Sequence, residues 1–181
     1  MKQYLIQYKP FLLFLSKFFL SYILLTVLYQ LYLSQFAVAE IDGITRLVAR
    51  QTQQIMVFFK TDFQIKKENG EGFFRLLYRG SYVARMIEGC NAISVLILFV
   101  SFVFSFSGKL KKTLIFMIIG SCLIYSLNVI RIAILCVLMF HFPEREGLLH
   151  GVLFPLFIYG IVFLLWLLWI NKYANDARRN S

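Results

Sequence analysis

The stretch TLIFMIIGSCLIYSLNVIRIAILCVLMF, residues 113–140, carries one charged side chain, Arg131, in an otherwise apolar or small-polar run. A hydrocarbon core of about 30 Å is crossed by roughly 20 helical residues. The run exceeds that length, and in lipid only a helix or a closed barrel satisfies every backbone amide. It is therefore predicted to be a transmembrane helix. Three more blocks read the same way: 10–33, 91–107, which is the shortest, and 151–170.

The 181 residues are 60% hydrophobic with a mean hydropathy of +0.72, more apolar surface than a water-soluble domain of this size can bury. The expected architecture is one membrane domain over 1–181: an all-α integral membrane protein built as a four-span helical bundle. Its only sizeable polar part, 34–89, would lie outside. Lys2 and Lys9, then Lys109, Lys111 and Lys112, then Lys172, Arg178 and Arg179 flank the spans on one side. Short basic flanks stay cytoplasmic, so both termini are expected inside. The net charge of +10 is then mainly an orientation signal, and no nucleic-acid partner is expected. Ala37-Val38-Ala39 offers the alternative of a leader cleaved after Ala39, although the apolar run before it is longer than a usual signal core of about 7 to 15 residues.

Within 34–89, Ile41, Ile44, Val48, Ile55 and Phe59 recur at helical spacing, which predicts an amphipathic helix at the outer interface or packed on the spans. Asn69-Gly70 between apolar and charged runs predicts a β-hairpin, with strands near 63–67 and 73–78. A lone hairpin is marginal, so it is expected to pack on the membrane domain.

Ionisable groups at membrane depth are costly and call for an account. At about 1.5 Å per residue, Arg131 lies roughly 28 Å above Lys112, Cys90 roughly 27 Å above Gly108 and His150 roughly 31 Å above Asn171. Three spans thus deliver a thiol, a guanidinium and an imidazole to one outer layer. Such a set suits acyl transfer: Cys90 attacks a carbonyl, His150 moves protons, and Arg131 steadies the oxyanion or favours the thiolate. Ser121, Tyr125, Asn128 and Arg131 form one stripe, and Asn128 and Asn91 are candidate supporting groups. Glu88 is a candidate partner for Arg131. Each residue also has a plain reading: the Cys as a small hydrophobe, the Arg as a headgroup anchor, the His as an interface residue. A Cys90–Cys136 disulfide is a competing use of the thiol. No zinc spacing, HExxH, GxSxG or P-loop pattern occurs, so no metal and no cofactor are expected.

The ordered set EGCNAISVLILF (88–99), SLNVIRIAIL (126–135) and LLHGVLFPLF (148–157) resembles the exosortase/archaeosortase family of multi-pass membrane transpeptidases, most of all the F-type exosortases. The similarity covers roughly 75–170. It implies Cys90 as nucleophile with Arg131 and His150 completing a triad, in the bacterial cytoplasmic membrane with the site facing outward. It also implies the partners: exported proteins ending in a sorting motif, a transmembrane helix and a basic tail, with an accessory membrane protein as a further candidate. Many members carry Ser-Gly after the Cys, where this chain has Asn91-Ala92. The alternative to an enzyme is a small membrane scaffold or assembly subunit of an export or surface-attachment system.

Overall fold

The computed structural model describes residues 8–37, 40–67, 71–106 and 109–174. The Asn69-Gly70 turn, the Ala39 cleavage position and the terminal Lys2, Arg178 and Arg179 lie outside the described residues. Helix α1 (Lys9–Leu33) has Pro10 in its first turn and leaves no residue fully buried: one side packs on the bundle and the other offers its apolar side chains to lipid. Helix α2 (Gly43–Phe58) is capped by Asp42, whose Oδ1 accepts the Ile44 and Thr45 amides at 2.9 Å each. Strands β1 (Phe63–Lys67), β2 (Phe74–Tyr78) and β3 (Ser81–Met86) follow, and a 3-10 turn, Glu88–Cys90, leads into α3 (Ile93–Ser105). Helix α4 (Leu110–His141) contains the opening stretch. Short turns over Pro143–Arg145 and Glu146–Leu148 and a π turn, Leu149–Leu153, run into α5 (Phe154–Leu168).

Among the described residues, three helical segments are long and apolar enough to cross a membrane: Tyr8–Leu33, Leu110–His141 and Pro143–Asn171. The chain is a membrane protein on that ground. Four long spans were expected; α3 is apolar but only 13 residues long. Its shortness follows from the turn at Glu88–Cys90 and the left-handed Ala92, which keep 88–92 out of the helix.

The chain is mostly helical, and the expected hairpin is present and extended by a third strand into an antiparallel sheet in the order β1-β2-β3. Both expected strands form, paired Phe63 to Tyr78 through Lys67 to Phe74. The added strand β3 turns back at Arg79-Gly80, where φ is +50° and +76°, the left-handed pair that a two-residue hairpin loop uses. The β2–β3 register slips between Leu76 and Leu77, leaving Val83 as the extra residue of a bulge.

The sheet does pack on the membrane domain. Phe63, Leu76, Tyr78, Val83 and Met86 from the sheet share one core with Val48, Ala49 and Met56 of α2 and Val129 to Met139 of α4. The face of α2 is rotated from the expected one: Thr45, Val48, Ala49, Thr52 and Met56 are buried, whereas Phe59 is exposed. Thr52 is tolerated because its Oγ1 donates to the Val48 carbonyl at 2.9 Å. A second core at the other end joins Phe99 and Val103 of α3, Ile124 of α4, and Val162, Leu165 and Trp169 of α5 and its continuation. There Phe102 stacks on Trp166 with centroids 4.1 Å apart, and Phe14 of α1 meets Phe106 at 4.7 Å.

Candidate active site

The 3-10 turn that ends in Cys90 is fixed on three sides. Its own bonds run from the Cys90 amide to the Ile87 carbonyl (3.0 Å) and from the Asn91 amide to the Glu88 carbonyl (3.2 Å). Asn128 of α4, buried, donates Nδ2 to the Cys90 carbonyl at 2.8 Å. Asn91, only 2% exposed, donates Nδ2 to the Tyr29 hydroxyl (2.8 Å) and Thr45 Oγ1 (3.2 Å), and its Oδ1 accepts the Ile93 amide (3.0 Å). One side chain therefore joins α1, α2 and the start of α3. Asn91 is a positioning residue for the turn, and its amide is fully used by the protein.

Ala92 follows at φ +66°, in the left-handed region that costs an L-residue roughly 1–2 kcal/mol. The tight exit is what separates the Cys90 turn from α3.

Cys90 is half-buried with a free thiol, packed at the edge of the sheet-end core. Arg131 is also half-buried, and Cys90 and Tyr159 lie within electrostatic reach of its guanidinium. Arg131 Nε is buried without a hydrogen-bond partner. A guanidinium with an unused donor within electrostatic reach of a thiol can favour a thiolate and can receive an oxyanion.

Glu88 does not serve Arg131. It lines a separate pocket with Glu40 and Asp42 and sits within electrostatic reach of Tyr29, so the Glu88–Arg131 pairing is corrected. The competing disulfide is not formed either: Cys90, Cys122 and Cys136 are all free, with Cys136 buried in the core and Cys122 exposed on the surface of α4.

His150 is exposed within the π turn, not at the first residue of a helix, and among the described residues no hydrogen bond joins it to Cys90 or Arg131. It lines a groove of about 470 Å³ with Tyr82 to Arg85 of β3, Leu135 and Met139 of α4, and Glu146. Phe116 and Trp169 touch with ring centroids 4.9 Å apart, joining α4 to the continuation of α5.

Two polar contacts escaped the sequence reading. Tyr125 donates its hydroxyl to Gln51 Oε1 at 2.7 Å, docking α2 on the same stripe of α4 that carries Asn128 and Arg131. Tyr159 was unmarked because its partner is brought to it only by the packing of α5 on α4. His141 Nδ1 donates to the Val137 carbonyl at 2.8 Å and serves to end α4.

Comparison of the chain with protein-family models, with curated proteins and with solved structures finds no match.

Proposed function

We propose that the chain is a membrane-embedded cysteine peptidase or transpeptidase of exosortase type, acting on the C-terminal sorting region of exported proteins at the outer face of the bacterial cytoplasmic membrane. The observation that carries this reading is the Cys90 thiol within electrostatic reach of the Arg131 guanidinium, with the thiol's turn held by Asn128. Two features add support. The position where many exosortases have Gly after the Cys falls on Ala92, whose backbone adopts the conformation that glycine favours. The Asn91 amide performs three bonds that a Ser in its place would only partly supply, which gives the departure from Ser-Gly a packing reason.

In this reading α3 crosses the membrane as a fourth, short span and both termini are cytoplasmic. The scissile peptide enters extended along the open edge of β3, in the groove that ends at His150. The Cys90 sulfur attacks the carbonyl carbon, and the oxyanion forms against Arg131. The C–N bond breaks as His150, on the leaving-group side, gives its proton to the departing amine. A thioester remains on Cys90. Water or an amine then attacks that carbon, the C–S bond breaks, and His150 takes back a proton.

The test is capture of the acyl-enzyme from membranes of cells carrying the wild-type chain, with mass spectrometry of the peptide attached to Cys90. A substrate C-terminus on Cys90, absent from Cys90→Ser, is the expected result. Normal maturation of all exported proteins in a Cys90→Ala strain would overturn the reading in favour of a scaffold.

A further inference from the structure

Helix α2 meets α4 near the level at which α4 leaves the hydrocarbon. The 32 residues of α4 rise about 48 Å, well beyond a core of about 30 Å. Counted from Lys112, about 20 residues bring that boundary close to Ile132, within the stretch of α4 that carries the sheet.

At about 100° per residue, α2 presents three sides. Val48, Thr52 and Met56 face the core. Gln51, Ile55 and Phe58 turn toward the lower part of α4 and, with Tyr125, Val129 and Ile130, wall a groove of about 550 Å³. The polar groups at its back are already used, since the Tyr125 hydroxyl donates to Gln51 Oε1 at 2.7 Å. The third side carries Arg50, exposed, in an adjoining hollow that shares Gln54 and Phe58 with the groove. Arg46 spends its Nη2 on the Ile41 carbonyl at 3.1 Å, whereas among the described residues no hydrogen bond or ion pair engages Arg50.

An apolar groove at membrane depth with a cation at its rim asks for an amphiphile that is apolar along its length and anionic at one end. Size narrows the choice. The groove covers α4 from Tyr125 to Ile130, a rise of about 7.5 Å, while a helix with its side chains is about 10–12 Å across. A single acyl chain fits where a helix does not. Its path continues down α4, because Ile130, Ser126, Leu123 and Ile119 share one face and all are exposed. From Ile130 to Ile119 that face rises about 16 Å, the depth of one leaflet. Phe58 and Phe59, 80% and 69% exposed with ring centroids 5.5 Å apart, form the lip that such a chain would cover. We propose that this groove binds one phospholipid of the leaflet at the sheet end, with an acyl chain between α2 and α4 and the phosphate on Arg50.

The site needs neither the Cys90 chemistry nor a particular side for the termini. It is tested on the full-length protein in dodecyl maltoside, by thermal unfolding against added palmitoyl-oleoyl-phosphatidylglycerol and by native mass spectrometry. The lipid should raise the unfolding temperature saturably, with one molecule retained per chain. Dioleoylglycerol, which lacks the phosphate, and glycerol 3-phosphate, which lacks the chains, should each do little. Arg50→Gln should weaken the apparent affinity about fivefold, as for one cation at a membrane surface. Ser126→Trp, at an exposed position, fills the groove and should abolish retention, while Lys66→Gln on exposed β1 should behave as wild type. No response to the lipid, equal weakening by Arg50→Gln and Lys66→Gln, or an equal response to dioleoylglycerol would each overturn the proposal. A Ser126→Trp chain that keeps its lipid but no longer processes exported proteins would also overturn it, giving the groove to a substrate helix instead.

Discussion

Asn128 holds the carbonyl of Cys90 at 2.8 Å, so the helix that carries the guanidinium also sets the position of the thiol. The two are three residues apart on α4, on one face. Replacing Asn128 by Ala removes the donor from a buried carbonyl and is expected to cost about 1–3 kcal/mol of stability. Residual folded protein should show a larger loss of processing than of stability. Denaturant unfolding and product accumulation, measured on the same membrane preparation, check both.

Asn91 is expected to be the most sensitive polar position near the site for folding. Asn91→Ala breaks three bonds at once and should destabilise by about 2–4 kcal/mol. Asn91→Ser keeps an oxygen for the Ile93 amide but cannot span to both Tyr29 and Thr45, so its loss should be about half as large. Thermal unfolding of the purified variants ranks them.

Ala92→Gly should raise stability by about 1 kcal/mol, since the left-handed backbone at φ +66° no longer opposes a Cβ. The gain appears as a higher unfolding midpoint with no change in the slope of the denaturant curve. A loss would mean that burial of the methyl group outweighs the strain.

Gly120 is where α4 comes close to α3. A methyl group there would meet the Phe99 ring, with Cε1 only 2.7 Å away. Gly120→Ala should therefore cost about 1–3 kcal/mol and part the two helices. Gly160→Ala, with nothing near its added methyl, should be close to neutral and serves as the control.

The acid roles open to His150 and Tyr159 can be told apart by rate. His150→Ala should lower turnover by about 10²–10⁴-fold if the imidazole carries the proton. Tyr159→Phe should lower it by less than about tenfold. The reverse order would transfer the acid role to the phenol. Single-turnover release of the leaving peptide is the measurement.

The helices of the membrane domain were legible because lipid imposes a length and a composition that a single chain displays openly. The opening stretch became α4 nearly end for end, and its stripe of Tyr125, Asn128 and Arg131 does face protein. What escaped was set by local backbone or by three-dimensional offset. β3 was hidden because its turn uses Arg79, a residue with no preference for positive φ, ahead of Gly80. The buried face of α2 was misplaced because Thr45 and Thr52 are polar in type yet satisfied inside the fold. The bond that ties the Cys90 turn to α4, Asn128 to a backbone carbonyl, leaves no mark in sequence.

The thirteen residues of α3 have a mechanical consequence. A helix of that length rises about 20 Å, some 10 Å less than the hydrocarbon thickness it would have to match. In the proposed four-span reading, lipid beside it compresses, or headgroups and water sink toward it, at a cost of fractions of a kcal/mol for each ångström. Cys90, just ahead of this helix, would then stand in the resulting dimple. Under the proposed chemistry, a full-length helix moving in from the bulk bilayer would find its last turns stripped of acyl chains there and its backbone wetted.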